Sequence, residues 1–291
     1  MMTPHHIHLY PLFIELNTAY AANNSNNLNK SEERKMTTLV VGATGATGRL
    51  LVEQLLDRGE EVRVIVRSPQ KLPQSVLENE RLSVIQASVL DLSDSEMAEY
   101  VEGCDAVASC LGHTVSFQGM YGHPRRLVTD AARRLCQAVK ANNPQRPTRY
   151  VLMNTVGNRN RDLNEPMSFK EQVVVGLLRI VLPPQVDNEQ AAEYLRSEIG
   201  QNDTAVEWCA VRPDSLTDED EVTDYAVYPA LAMSAIFGSG KTSRINVAHF
   251  MAELITDDDV WNTWKGQMPT IYNKESVEIT ADESARQPVT A

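Results

Sequence analysis

The stretch that most restricts this chain is Gly42-Ala43-Thr44-Gly45-Ala46-Thr47-Gly48, with glycines at a spacing of three and three. It lies between a β-type run, Thr38 to Ala43, and a segment, Arg49 to Asp57, whose Leu51, Val52, Leu55 and Leu56 share one helical face. In such a turn the first glycine permits the tight bend and the middle positions let the backbone approach a pyrophosphate. The last glycine allows close helix–strand packing, and the helix N-terminus offers N–H groups and a positive dipole end to an anion. Glycines alone would serve a tight turn equally well; the strand before and the helix after are what mark a dinucleotide site. Arg49-Leu50 follows Gly48 where a P-loop needs Lys and Ser/Thr. Gly42, Thr44, Gly45, Ala46, Thr47 and Gly48 are therefore candidate cofactor-binding residues.

Downstream, strand and helix patterns alternate. Strands are expected over Glu61–Val66, Leu82–Val89, Ala106–Cys110, Tyr150–Met153 and Val206–Val211. Gly59 stands where a helix C′ glycine belongs, Ser93 with Glu96 spells a capping box, and Arg126–Ala141 reads as a long amphipathic helix. Such alternation predicts an α/β fold with a doubly wound parallel sheet, the Rossmann arrangement, and a small C-terminal substrate lobe. The apolar groups from Val173 to Leu182 predict a buried helix stopped by Pro183-Pro184, and Asp187 with Gln190 is expected to cap the next one.

The end of the second strand selects the cofactor. An acid there would accept from a ribose 2′-OH; this chain has Val66-Arg67-Ser68, with Lys71 shortly after. A guanidinium pairs with a 2′-phosphate through two hydrogen bonds, and Ser68 adds a donor, so NADP(H) is expected rather than NAD(H).

Composition narrows the remaining classes. The net charge is −12, from 27 Lys+Arg against 39 Asp+Glu. That balance disfavours nucleic acid and anionic lipid as partners. Nine of the twelve charges are local: six acids in Asp214–Asp224, expected to be a solvated loop, and a net −3 over Glu275–Ala291. No apolar run approaches the roughly 18 residues of a membrane span. Cys104, Cys110, Cys136 and Cys209 form no CxxC pair, which suits a reduced cytoplasmic chain better than a disulfide framework or zinc site. Residues 1–35 and 275–291 read as disordered tails flanking one domain over 36–274, with Met36 a possible initiator. His5, His6 and His8 lie in the first tail, and no metal is expected of them.

The segments GATGATG, EVRVIVRSPQKL, DAVASCLG, YVLMNTVG and WCAVRPDSLTD together resemble the atypical short-chain dehydrogenase/reductases, and within them the NmrA-like NAD(P)-binding group that includes flavin and biliverdin-IX-beta reductases. The resemblance runs from about Met36 to Asn273. It implies that Ser88-Val89 flanks the adenine, with Ser88 where the group usually has Asp. It likewise implies that Leu111-Gly112 passes the nicotinamide ribose, that Pro213 borders the nicotinamide, and that Thr155, or Val156 in the alternative register, takes the group's Ser position. The region around Asp187 would lie near the substrate pocket.

Ordinary short-chain dehydrogenases carry a Tyr with a Lys four residues on, the Lys lowering the Tyr pKa for proton exchange. None of the nine Tyr here has that Lys. An oxidoreductase lacking the dyad would transfer hydride from NADPH to a good electron sink, a flavin, quinone or other small conjugated acceptor, the cofactor carrying the chemistry. His113, Tyr121 and Thr155 are the candidate catalytic residues, with Ser116 and His123 in the same loop as His113. The alternative is a non-catalytic NADP(H)-binding redox sensor or assembly factor, and a nucleotide-sugar epimerase ranks below both, because those usually keep the dyad. A small-molecule substrate and a monomer or homodimer complete the expectations.

Overall fold

The structure, a computed structural model, describes residues 35–113, 116, 121–163, 165, 168–234, 238 and 240–276. The first three histidines and nearly all of both expected tails lie outside the described residues. Ser276, however, is buried, and its hydroxyl bonds to the backbone of Lys241 and Asn273.

Strands β1 (Thr37–Val41), β2 (Glu61–Val66), β3 (Leu82–Gln86), β4 (Ala106–Ser109), β5 (Thr148–Met153) and β6 (Val206–Pro213) are joined by helical crossovers into a parallel array. β10 (Thr270–Asn273) extends this parallel array beyond β6, and β8 (Tyr225–Tyr228) closes the edge antiparallel to β10. The full order is β3-β2-β1-β4-β5-β6-β10-β8. The strand order reverses between β1 and β4, which opens a crevice at their carboxyl ends. β7 (Ser215–Thr217) and β9 (Lys241–Ser243) form a separate parallel pair beside it.

Both faces of the sheet are covered, which is why its strands read as apolar runs. Leu39 and Val41 of β1 join one core with Tyr150, Leu152 and Trp208 and with helices α3 (Asp94–Val101), α4 (Leu127–Ala141) and α6 (Pro183–Tyr194). Val40 turns to the other face and meets Val64, Val151, Val211 and helices α1 (Ala46–Asp57), α7 (Arg244–Thr256) and α8 (Asp258–Trp264). The two-residue strand period thus sorts one continuous run into two cores. α2 (Gln74–Leu77) is a single turn between β2 and β3.

The capping box at Ser93 and Glu96 forms, and Gly59 has a positive φ of 83° just past the C-cap of α1. Other expectations need correction. β3 ends at Gln86, opposite Val66, so Ser88 and Val89 belong to the following turn. The chain leaves the ladder where β2 itself stops. Pro183 and Pro184 open α6 rather than merely ending a helix, because proline is tolerated in a first turn whose N–H groups have no helical partner. Asp187 accordingly sits inside α6 and caps nothing there. Helix α5 (Phe169–Val181) is not buried: Phe169, Val173, Leu177 and Val181 are 78, 56, 60 and 46% exposed. Only one side, around the buried Val175, packs inward. The acidic run is more structured than a solvated loop, since it contains β7, Arg244 pairs with Asp218, and Glu219 accepts from Asn273.

Arg212 of β6 and Glu165 form a fully buried ion pair, Nη2 to Oε1 at 2.7 Å and Nη1 to Oε2 at 2.9 Å. Arg212 also donates to the carbonyls of Asn158 and Met268, and Glu165 accepts from the N–H groups of Asn160 and Leu231. Removing one partner of such a pair strands the other charge. Glu165→Ala is therefore expected to lower unfolding stability by about 3–5 kcal/mol. Urea titration at neutral pH measures it, with a loss under about 1 kcal/mol contradicting this role.

Candidate functional site

The glycine turn meets the structural requirement for each of its glycines. Gly42 has φ +80°, and a Cβ there would stand 2.5 Å from the carbonyl carbon of Cys110. A Cβ on Gly48 would fall 2.3 Å from the Gly42 oxygen, and Gly45 donates its N–H to that oxygen at 2.9 Å. Turn, helix and β4 are thus in backbone contact. Gly45 is the N-cap of α1 and supplies no side-chain cap, nor is there an acid in the first turn. At the start of α1 Gly45 and Ala46 are exposed, while Thr47 is buried and Thr44 half-buried. An anion suits this end of the helix.

At the end of β2, Arg67 and Lys71 are exposed and Ser68 is half-buried. Arg67 makes no hydrogen bond or ion pair with any described residue. Ser88 is half-buried and Val89 buried in the turn after β3. All these residues border the carboxyl ends of β1, β2 and β3.

Leu111 and Gly112 continue directly from the Cys110 backbone against which Gly42 packs, and His113 follows. His113 Nε2 lies 2.8 Å from Oδ2 of Asp187, and both side chains are almost wholly buried. Asp187 in addition accepts from the N–H groups of Val128 and Thr129 at 2.9 and 3.0 Å and from the Thr129 hydroxyl at 2.7 Å. It therefore caps α4, from a distance of 58 residues in sequence, where the N-cap residue Arg126 makes no side-chain cap. Burial alone would raise the Asp187 pKa; donation from His113, Thr129 and the Val128 N–H outweighs it and holds the carboxyl below its usual range. Sequence separation hid this partnership, and no local pattern announces a cap supplied by another helix.

Thr155 and Pro213 are brought together: the Val156 N–H donates to the Pro213 carbonyl at 3.1 Å. Asn154 accepts from the Thr155 N–H at 2.8 Å and donates to the Asn188 carbonyl of α6 at 3.0 Å, so the β5 turn is fastened to the helix carrying Asp187. Tyr121 stands elsewhere, its hydroxyl donating to the Val181 carbonyl at the end of α5 at 2.7 Å. Ser116 and His123 are both exposed. Burial pushes the Cys110 thiol up to about 12 and the Cys104 thiol to about 11, so both stay protonated near neutral pH. All four cysteines are free.

Residues 42–258 match the family model described as NAD(P)H-binding. The chain belongs to this NAD(P)H-binding family. Among solved structures it is similar to a short-chain dehydrogenase/reductase from Veillonella parvula in complex with NADP, at 16% identity and TM-score 0.60, covering 84% of this chain and 97% of that one. The anaerobillin reductase ChuY from Escherichia coli O157:H7 has TM-score 0.58 at 16% identity, covering 82% and 98%. At these identities the likeness is one of fold. An uncharacterised chloroplastic protein of Arabidopsis thaliana is 37% identical over 79 residues, 27% of this chain and 28% of its own length. No helix among the described residues is long and apolar enough to cross a membrane.

Because the folded pKa of Asp187 is depressed, its stabilising contribution is complete above the ordinary value of 3.8 and is lost as pH falls through the lower folded value. Asp187→Asn should therefore lower stability at neutral pH and flatten the acid limb of a stability–pH curve. Chemical denaturation from pH 6 down to about 2 checks this, and an unchanged acid limb would contradict it.

Proposed function

We propose that this protein is an NADP(H)-dependent oxidoreductase that transfers hydride to a flavin, quinone or other small conjugated acceptor. The observation that carries the reading is the His113–Asp187 pair, which begins three residues past the Gly42–Cys110 contact, just beyond the carboxyl end of β4. NADPH supplies the hydride when bound. Gly42 to Gly48 and the start of α1 would hold its pyrophosphate, Arg67, Ser68 and Lys71 its 2′-phosphate, and Pro213 with Thr155 would border the nicotinamide. Asp187 fixes the orientation of the His113 ring, from which a proton would follow the hydride onto the acceptor. The free cysteines support a reducing compartment such as the cytoplasm.

An assembly factor or redox sensor is the second reading, and the exposed apolar stripe Phe169, Val173, Leu177, Val181 on α5 favours it, since such a stripe is suited to a protein partner. NADPH oxidation across a panel of flavins and quinones separates the two. Tight NADPH binding without turnover on any acceptor would favour the second.

Two outcomes follow from the residue roles. Arg67→Ala is expected to weaken NADPH about 10- to 100-fold and NADH little, by calorimetric titration, because a charge-assisted phosphate contact is lost. Equal affinities of the parent protein for NADPH and NADH would refute the cofactor assignment. His113→Gln should lower kcat for quinone or flavin reduction about 100-fold with NADPH affinity intact. A loss under about threefold would mean that solvent supplies the proton.

A further inference from the structure

A cavity of about 70 Å³ is walled by Asn158, Arg159 and Arg161 from the segment after β5, Arg179 from α5, and Glu189 and Glu193 from α6. Its cations are unequally matched. Arg179 donates Nε to both oxygens of Glu189, at 3.1 and 2.8 Å. Glu193 is held by Arg196 through two hydrogen bonds, at 3.1 and 2.7 Å, and Arg161 reaches it only at 3.7 Å. Arg159 has no hydrogen bond or ion pair with any described residue, and its Nε is buried without an acceptor. Glu171 feels its charge only as the last of several influences, behind the hydrogen bonds from Ser234 and Ser168.

Arg159 is also held in place. The Asn158 carbonyl on one side accepts from Arg212, and the Asn160 N–H on the other donates to Glu165, so the buried ion pair clamps the backbone around it. A guanidinium with unused donors, on a backbone fixed beforehand, is prepared for a bidentate anion. The space suits a small group: a cavity of about 150 Å³ is of the size that takes a benzene ring, and this one is roughly half that, so it fits a carboxylate or phosphate head better than a ring system. Arg159 lies four residues past Thr155, at the end of the sheet where ligands of doubly wound folds bind.

We propose that this cavity receives a carboxylate or phosphate carried by the acceptor, with Arg159 as its bidentate partner and Arg161 as a second cation, while the conjugated ring stays in the crevice outside. The proposal rests on the oxidoreductase reading above and assigns its substrate class as anionic.

The test is binding to the full chain saturated with NADP+, followed by fluorescence or calorimetry and independent of turnover. Flavin mononucleotide is compared with riboflavin, and anthraquinone-2-carboxylate with 2-hydroxymethylanthraquinone. In at least one pair the anionic member should bind about tenfold tighter, the pair identifying phosphate or carboxylate. Arg159→Gln should abolish that advantage and leave the neutral probe unchanged, Arg159→Lys should restore part of it, and the exposed Arg161→Gln should reduce it in a chain whose buried contacts are intact. Equal affinity within both pairs overturns the proposal, as does an Arg159→Gln variant that weakens charged and neutral probes alike. Anion-dependent binding without reduction of any acceptor supports the cavity assignment and removes the oxidoreductase reading; reduction without anion preference does the reverse.

Discussion

The backbone contact between the Gly42 turn and the end of β4 is the constraint on which the rest of the molecule depends. With a Cβ at Gly42 only 2.5 Å from Cys110, and one at Gly48 only 2.3 Å from Gly42, neither position has room for a side chain. The contact sets the start of α1 against β4, where the strand order reverses, and so fixes the crevice and the helix end facing it. From there the chain runs through Leu111 and Gly112 straight to His113. The candidate cofactor cradle and the candidate proton donor are therefore held by one piece of backbone.

Two buried acids hold the segments after β4 and β5 in place. Asp187 ties three separate parts together: α6, which carries it, the start of α4, which it caps, and the His113 ring. Glu165 and Arg212 do the same for the segment after β5, joining it to β6 and to the backbone at Leu231. Both acids have every lone-pair direction largely used, which is how charge is accommodated inside a fold. No Tyr of the sequence has a Lys four residues on, and a buried His–Asp pair lies just past the end of β4.

How much of this was legible in the sequence depends on the distance over which each feature is encoded. The turn, the capping box at Ser93, the six parallel strands and the basic corner at Arg67 are written in residues less than about ten apart, and periodicity or spacing reveals them. Asp187 was misread as a local cap because Asp near a proline pair fits a helix start, whereas the prolines themselves began the helix. The exposure of Phe169, Val173 and Leu177 was equally invisible: an apolar stripe looks the same whether or not something covers it.

By itself the sequence determined the class of fold, the glycine turn and a cation, Arg67, at the end of β2, because backbone sterics and short-range charge need only neighbours in the chain. The tertiary structure alone decided which acid serves His113, which cation Glu165 neutralises, and that Arg159 is left with donors to spare. Those pairings join residues 47 to 74 positions apart, and only the winding of the sheet brings them within a hydrogen bond of one another.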